Sequence, residues 1–190
     1  LNKILMKFLG ECTTVSPGVL PQGKHGKTRL SYTAVLPGQL TPRGLEGEFG
    51  ILQRDMPCMM EQFLQPGDVL IKRLNPDCAV VYKGGDSQVI PSANVFAIRP
   101  NAGLDSCYLA FLLEKSKLLQ RISQLSGVGT TVAAITAPQI AGGMIPLPPV
   151  GKQLELGNLW QLGKQKEELL QNMLIETDRL LRALCAELYQ

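Results

Sequence analysis

The feature that most restricts the fold is a long proline-free stretch at the C-terminal end of the chain. No proline occurs from residue 151 to residue 190, and Gln, Glu, Leu and Lys dominate this stretch. That composition is typical of a helix, which at about 1.5 Å per residue would reach about 60 Å. Residues 145–149, Ile-Pro-Leu-Pro-Pro, cannot belong to it because proline breaks the helical hydrogen-bond pattern. We therefore expect one long helix that begins near Gly151.

Leucines along this helix follow a mixed three-and-four spacing, which is typical of a helix that pairs with another helix. The stripe consists of Leu159, Leu162, Lys166, Leu169, Met173, Thr177, Leu180, Leu184 and Leu188, widened by Leu170, Leu174 and Leu181. We expect the seam with a second helix at Leu170, Met173, Thr177, Leu180, Leu184 and Leu188. The alternative is a helix that folds back on its own domain. Gly157 and Gly163 should weaken the first half of the helix by about 1 kcal/mol each relative to Ala.

The composition of the chain indicates a folded protein with no obvious partner. Its 190 residues are 45% hydrophobic and 18% charged, which excludes intrinsic disorder as the main state. The net charge of +3 is too mild to identify a nucleic-acid binder and excludes a polybasic tail. The aromatic content of 5% is low for a protein that stacks on single-stranded bases.

The cysteine pattern favours free thiols in a reducing cytoplasm. The five cysteines are widely spaced, form no C-x-x-C pair and lie far from the single His25. We therefore expect neither a disulfide framework nor a zinc site. No apolar run approaches the roughly 20 residues needed to span a bilayer, so we expect no membrane partner and a cytoplasmic location.

Short apolar runs bounded by turn residues predict a β-rich region before the long helix. Residues 69–71, 79–82 and 94–98 are three such runs, and they suggest a curled antiparallel sheet or a small barrel. Residues 28–36 alternate between polar and apolar side chains, which is the pattern of a half-buried strand.

One further helix is predicted within this region. Asp105 or Ser106 can cap a helix that runs to about Gln124 and carries a wide apolar face. The fold class is therefore α+β, with a β-rich domain over residues 1–150 and a long spacer or dimerisation helix over residues 151–190.

A catalytic centre is not evident in the sequence. Residues 18–25 mimic half of a phosphate-binding loop, but His25 replaces the magnesium-binding Ser/Thr and Pro21 removes an amide donor. A methyltransferase would need an aromatic residue where Val150 follows Pro149, together with a βαβ cofactor unit. Clustered carboxylates for a nuclease metal are not found, and a Ser-His-Asp triad would depend on His25 alone. We expect no catalytic residue, no metal and no cofactor.

Binding chemistry remains, in the form of small basic clusters on loops and strand ends. Lysine and arginine at one edge of a sheet suit DNA phosphates and guanine edges. A loop rich in Gly and Thr at residues 127–131 could offer amides and hydroxyls to a phosphate, or could be a simple turn. For any single cluster the alternative is an ordinary solvated surface. The residues that we predict to bind DNA are Lys24, Lys27, Arg29, Lys72, Arg73, Lys83, Thr130 and Thr131.

Several segments, in this order, are similar to the target recognition domain of type I restriction-modification specificity subunits. The strongest piece is the Ile-Pro-Leu-Pro-Pro run at residues 145–149 with Gln153 four residues on, which in that family marks the passage from recognition domain to spacer helix. The resemblance covers nearly the whole chain from about Phe8. The other segments are residues 67–71, 94–100, 108–113, 129–132 and 135–136.

The resemblance implies a function without catalysis. Members of the family bind duplex DNA sequence-specifically and position methyltransferase and restriction subunits on it. They usually carry two recognition domains and two long antiparallel helices, whereas this chain has one of each and looks like a half subunit. The implied partners are double-stranded DNA, a methyltransferase subunit, and a second copy or second half subunit that pairs through the C-terminal helix.

A different class of function remains as the alternative. A stand-alone or degenerate recognition module could act as a protein-interaction or regulatory DNA-binding protein after losing its methyltransferase partner. A neighbouring methyltransferase gene would favour the specificity subunit. An enzyme would be indicated only by a cofactor or metal bound to the purified protein.

Overall fold

The computed structural model describes residues 5–21, 30–85, 88–116, 118–124 and 134–189. The strands in this part of the chain are β1 (Leu5–Phe8), β2 (Thr13–Pro17), β3 (Leu30–Val35), β4 (Leu40–Thr41), β5 (Gly44–Leu45), β6 (Gly50–Arg54), β7 (Val69–Lys72), β8 (Ala79–Val81), β9 (Val89–Pro91), β10 (Val95–Pro100) and β11 (Met144–Leu147). The helices are α1 (Leu9–Cys12), α2 (Ser106–Lys115), α3 (Leu118–Gln124), α4 (Ala137–Ala141) and α5 (Val150–Leu188). The predicted α+β class, with a long C-terminal helix, is confirmed.

The central sheet has the strand order β2-β10-β7-β8 and is antiparallel throughout. It contains all three apolar runs that the sequence predicted as strands. Alternate residues enter two different cores: Ile71 and Ile98 pack with Leu109 of α2, while Leu70 and Ala97 belong to a second cluster. Because both faces are covered, these strands are continuous apolar runs rather than alternating ones.

A second sheet, with the order β6-β3-β9, differs from the antiparallel arrangement expected from the sequence. β3 pairs antiparallel with β6 but parallel with β9, where Val35 lies opposite Pro91. Parallel neighbours need a long connection, and residues 36–88, which include β7 and β8, supply it. Nothing local in the sequence distinguishes such a crossover from a hairpin. Two smaller ladders complete the strands, β1 with β11 and β4 with β5.

The first glycine of the phosphate-loop-like segment has a packing role. Val19 bridges to Ser92, and Gly18 lies so close to the same backbone that a Cβ would stand 1.8 Å from the Ser92 carbonyl oxygen. A residue with a side chain could not occupy this position without moving the strand connection.

The single helix predicted from residue 105 to residue 124 is wrong, because α2 and α3 are separate helices. Asp105 does cap α2, and its Oδ1 accepts a hydrogen bond from the Tyr108 amide at 2.8 Å. Ser116 ends α2: its amide donates to the Leu112 carbonyl, and its hydroxyl donates to the same oxygen. A serine hydroxyl that bonds back to the preceding turn weakens the helical pattern, and α2 ends at the residue before it.

The C-terminal helix α5 begins at Val150 and ends at Leu188, close to the predicted bounds. Only its first part packs on the domain, where Gln153 and Gly157 are buried. Every residue from position 165 to position 189 is exposed, so the helix does not fold back on its own domain. Within the described ranges, no helix, α5 included, is both long enough and apolar enough to cross a bilayer.

Candidate nucleic-acid interface and helix seam

Lys72 and Arg73 lie together at one end of the central sheet, where β7 ends. The Arg73 side chain is exposed, and its amide donates to the Asn94 carbonyl oxygen at 2.8 Å. Lys72 is partly neutralised, because its Nζ lies 3.0 Å from Asp77 Oδ1. Burial alone would raise the pKa of Asp77, but hydrogen bonds from Lys72 and Cys78 hold that pKa below its usual value. Arg73 is therefore the more available cation for an anionic partner at this end.

Lys83 lies at the opposite end of the β7–β8 pair. Val69 is opposite Val81 and Ile71 is opposite Ala79, so the residue after β8 and the residue after β7 are separated along the strands. By the register, Lys72 and Lys83 are about five residues apart, or about 17 Å at about 3.4 Å per residue. The structure therefore does not bring the described basic residues into one cluster.

Lys83 lies instead on the rim of a cleft of about 620 Å³ between the central sheet and α5. Trp160 and Cys107 line the same cleft. Burial raises the pKa of Cys107, and burial together with the Asp77 carboxylate raises the pKa of Cys78 to about 12. Both thiols are therefore protonated at neutral pH and are poor nucleophiles.

The remaining predicted DNA contacts lie outside the described residues: Lys24, Lys27, Arg29, Thr130 and Thr131. One flank of each segment can still be placed. Val19, which precedes the first segment, bridges to Ser92 beside the 92–95 turn. Ile135, which follows the second segment, donates its amide to the Arg73 carbonyl oxygen at 2.9 Å. These two flanking residues lie near the Lys72–Arg73 end of the central sheet, which we call the basic sheet end.

An ion pair that the sequence did not reveal stabilises the other end of the sheet. Arg99, the last basic residue of β10, donates from Nε to Asp68 Oδ1 at 2.7 Å and from Nη2 to Asp68 Oδ2 at 2.8 Å. A third bond runs from Arg99 Nη2 to the Phe63 carbonyl at 3.0 Å. Hydrogen bonding to Asp68 raises the pKa of Arg99, although burial opposes the shift. Arg99 is therefore a structural residue and is not available to DNA.

The predicted seam residues lie on a fully exposed part of α5. Leu170, Met173, Leu180, Leu184 and Leu188 are all at least 50% exposed, and Thr177, the remaining predicted member, is exposed as well. Exposed apolar surface of this kind is typical of interaction sites in proteins, and the seam itself stays a prediction.

The stripe faces away from the protein's own domain. At about 100° per residue, Met173 lies about 160° around the helix from Gly157 and about 180° from Lys164, both of which contact the domain. Leu159 and Leu162 belong to the stripe by spacing and are 67% and 60% exposed, although the helix is docked at this level. Within the described residues, the apolar face is therefore not covered by this domain.

The spacing within the stripe is nearly symmetric about Met173. Towards the N-terminus the next stripe residues follow at intervals of four, three and four, and towards the C-terminus the intervals are again four, three and four. An antiparallel pair of identical helices centred on Met173 would place each stripe residue opposite a stripe residue of its partner. The paired positions, by number, are 169 with 177, 166 with 180 and 162 with 184.

The first part of α5 packs on the domain, where Leu156 and Trp160 are partly buried against the core. Three further residues attach it, and we call them the α5 root: Gln153, Gly157 and Lys164. Gln153 is 1% exposed, and its amide bonds to three backbone groups. Gly157 packs against α2 at van der Waals distance. Lys164 Nζ lies 2.7 Å from Glu114 Oε1 of α2. From the sequence alone, Gln153 is recognisable only as part of a motif, and Gly157 only as a weak helix former.

Acidic, His and Cys side chains do not converge on a metal site within the described residues: no group of three or more of them could hold an ion. The surfaces that the structure does present are a basic sheet end, a cleft beside α5 and an exposed apolar helix face.

Comparison with solved structures identifies the fold. A chain from a structure described as the structural basis of complex assembly and conformational transition of the type I R-M system has a TM-score of 0.64 and 20% identity, covering 95% of this chain and 43% of that one. The HsdS subunit from Thermoanaerobacter tengcongensis has a TM-score of 0.59 and 19% identity, covering 89% and 39%. The S subunit of the M. genitalium type I restriction-modification system has a TM-score of 0.55 and 16% identity, covering 96% and 45%.

These neighbours confirm the predicted resemblance to type I specificity subunits at the level of the fold. This chain spans less than half the length of each neighbouring chain. No protein-family model matches the sequence, and no curated protein matches it significantly. The likeness therefore extends over nearly the whole of this chain but over only one part of each neighbour.

Proposed function

We propose that this chain is a DNA-specificity half subunit of a type I restriction-modification system. The observation that carries the proposal is an exposed apolar stripe on α5, turned away from a domain that has the specificity-subunit fold. A protein that only folded on itself would bury such a stripe. Residues 1–150 are the proposed recognition domain, and residues 151–190 are the proposed spacer and dimerisation helix.

DNA is the proposed ligand of the basic sheet end. Arg73 is exposed there, and Lys72 lies beside it. Val19 and Ile135, each of which flanks one of the segments that hold Lys24, Lys27, Arg29, Thr130 and Thr131, lie near this end. Loops at one end of a rigid sheet are a common way to present base-reading residues. Lys83 lies at the far end of the β7–β8 pair, so it would contact the DNA phosphate backbone outside the basic sheet end.

A second copy of the chain is the proposed partner of α5. The near-symmetric stripe about Met173 favours an antiparallel pair, because each stripe position then lies opposite another stripe position. From Gly157 to Met173 the helix rises about 24 Å, so the two α5 roots would be about 48 Å apart, or about 14 base pairs. Two identical domains related by such a two-fold axis would read an inverted repeat.

A methyltransferase subunit is the second proposed partner, since the proposed function includes no catalysis by this chain. The free state of all five cysteines favours the reducing cytoplasm as the compartment. The competing function is a stand-alone regulatory DNA-binding module that kept the fold. Co-purification with a methyltransferase subunit, followed by detection of methylated adenines in the host DNA, would support the specificity subunit; DNA binding without either would favour the module.

Salt-dependent binding tests the DNA-binding part of the proposal. Fluorescence anisotropy measures the affinity for labelled duplex DNA at salt concentrations from about 50 to about 300 mM. Affinity should decline steeply, and each neutralised phosphate should add about 0.9 to the slope of log affinity against log salt concentration. Binding that stays constant over this range would contradict contact with the phosphate backbone.

A further inference from the structure

We propose that the α5 root fixes the angle between the recognition domain and α5 and thereby sets the distance between the two DNA half-sites. The first part of this inference concerns the chain alone, while the second rests on the proposed function. The stretch of α5 that contains the α5 root holds its buried residues within the described chain, and Leu156 and Trp160 of the same stretch pack partly buried against the core, so this stretch determines the direction of the exposed part.

Gln153 joins three segments through one planar amide. Its Nε2 donates to the Pro148 carbonyl at 2.8 Å and to the Gly103 carbonyl at 3.0 Å, and its Oε1 accepts from the Asp105 amide at 3.0 Å. Pro148 belongs to the segment before α5, whereas Gly103 and Asp105 precede α2. Since the side chain is buried, no water replaces a lost bond cheaply. Rotation of the helix start relative to α2 would therefore break this set of bonds.

Gly157 brings the α5 backbone against the start of α2. A Cβ at this position would stand 2.7 Å from Asp105 Oδ1, 2.9 Å from Cys107 Cβ and 2.9 Å from the Tyr108 amide nitrogen. Asp105 is the cap of α2, so it cannot move aside without losing its bond to the Tyr108 amide. Only glycine permits this approach, and any larger residue must tilt or displace α5.

Lys164 attaches α5 further along its length and on two sides. Its Nζ lies 2.7 Å from Glu114 Oε1 on α2 and donates to the Pro42 carbonyl at 2.6 Å, in the segment between β4 and β5. The Lys164 and Glu114 side chains are 13% and 9% exposed, so the pair is well shielded. Attachment at Gln153 and again 11 residues later, about 16 Å along the axis, defines a direction as well as a position.

The exposed part of α5 makes the spacing sensitive to this direction. Beyond Lys164 the helix continues for about 36 Å, so a tilt of about 10° at the root displaces its end by about 6 Å, close to the rise of two base pairs. In a symmetric pair of helices, both domains would move. Small changes at the root should therefore alter which half-site spacing fits the protein.

Two glycines on the same helix provide a matched pair of variants. Gly157→Ala and Gly163→Ala give the same gain in helix propensity, but a Cβ at Gly163 meets no atom within 4 Å. Small-angle X-ray scattering of the full chain should show a changed pair-distance distribution for Gly157→Ala. Gly163→Ala should reproduce the wild-type curve. Lys164→Met serves as a second variant, because it removes both attachments of Lys164 without introducing a clash.

Selection of bound duplexes from random DNA then reads out the half-site spacing. The wild type and Gly163→Ala should select one spacing, whereas Gly157→Ala or Lys164→Met should select the same half-site sequences with a spacing shifted by at least one base pair, or with several spacings. Unchanged scattering for folded Gly157→Ala and Lys164→Met would overturn the inference and leave the proposed function intact. Changed scattering with an unchanged spacing would overturn it as well. A wild type that selects no divided site would instead refute the proposed function.

Discussion

At the scale of single residues, the described cations differ in what already neutralises them. Arg99 is committed to the buried Asp68, and Lys72 is paired with Asp77. Arg73 is exposed, and no ion pair is found for it within the described part of the chain. A phosphate that approaches the basic sheet end therefore gains most from Arg73.

Replacement of Arg73 is expected to weaken DNA binding. Arg73→Ala should lower affinity at low salt and reduce the log–log salt slope by about 0.9, the value for one phosphate contact. Lys72→Ala should have a smaller effect, because it also frees Asp77 from its partner. Lys152→Ala is the control, since Lys152 is exposed and paired with Glu155 on α5. Anisotropy titrations of the three variants that gave equal slopes would contradict a specific role for Arg73.

Loss of the Asp68 carboxylate is expected to destabilise the fold rather than to affect binding. Asp68 is 1% exposed, and Asp68→Ala leaves the Arg99 guanidinium without its bidentate partner, which should cost about 3 kcal/mol. Glu46→Ala breaks the exposed Arg43–Glu46 pair and should cost less than about 1 kcal/mol. Urea unfolding measures both free energies, and similar values for the two variants would refute the structural role of Asp68.

Residues that act through their own charge could be predicted from the sequence, whereas residues that act through distant contacts could not. Lys72 and Arg73 belong to the first kind, because the residue type alone gives the charge. The partners of Gln153 at Gly103 and Asp105 lie about 50 residues away along the chain, so no local pattern predicts the bonds. Gly157 appeared as a weak point of the helix, whereas its close contact with α2 depends on tertiary packing.

At the scale of secondary-structure elements, α5 was predictable because its pattern is long and local. Its composition and its preceding prolines fix both its type and its start. The break between α2 and α3 was not predictable from the apolar face, because that face continues across it and Ser116 is a common helix residue. The parallel pairing of β3 with β9 depends on a crossover and therefore escaped local patterns as well.

Charge introduced into the seam is expected to separate the helices. Leu180→Asp with Leu184→Asp should convert the protein from dimer to monomer, because a buried unpaired carboxylate opposes helix pairing. Ala186→Asp is the control, since Ala186 is exposed and lies about 160° around the helix from Leu184 at about 100° per residue. Light scattering coupled to size-exclusion chromatography gives the mass. A dimeric double variant, or a monomeric wild type, would contradict the proposed seam.

At the scale of the whole molecule, the mild net charge of +3 conceals an uneven arrangement. Lys72 and Arg73 lie at one end of the central sheet, while α5 carries an exposed apolar stripe. The domain and the helix are joined through the α5 root, so the proposed recognition and the proposed pairing would be mechanically coupled. A pair of such chains would present two identical reading surfaces at a fixed separation.

Selection of DNA by the purified wild-type chain tests this account most directly. Random duplexes that bind the protein should be enriched in an inverted repeat whose two halves are separated by one fixed spacing. An undivided motif, a direct repeat or no enrichment at all would contradict two-fold recognition by paired half subunits.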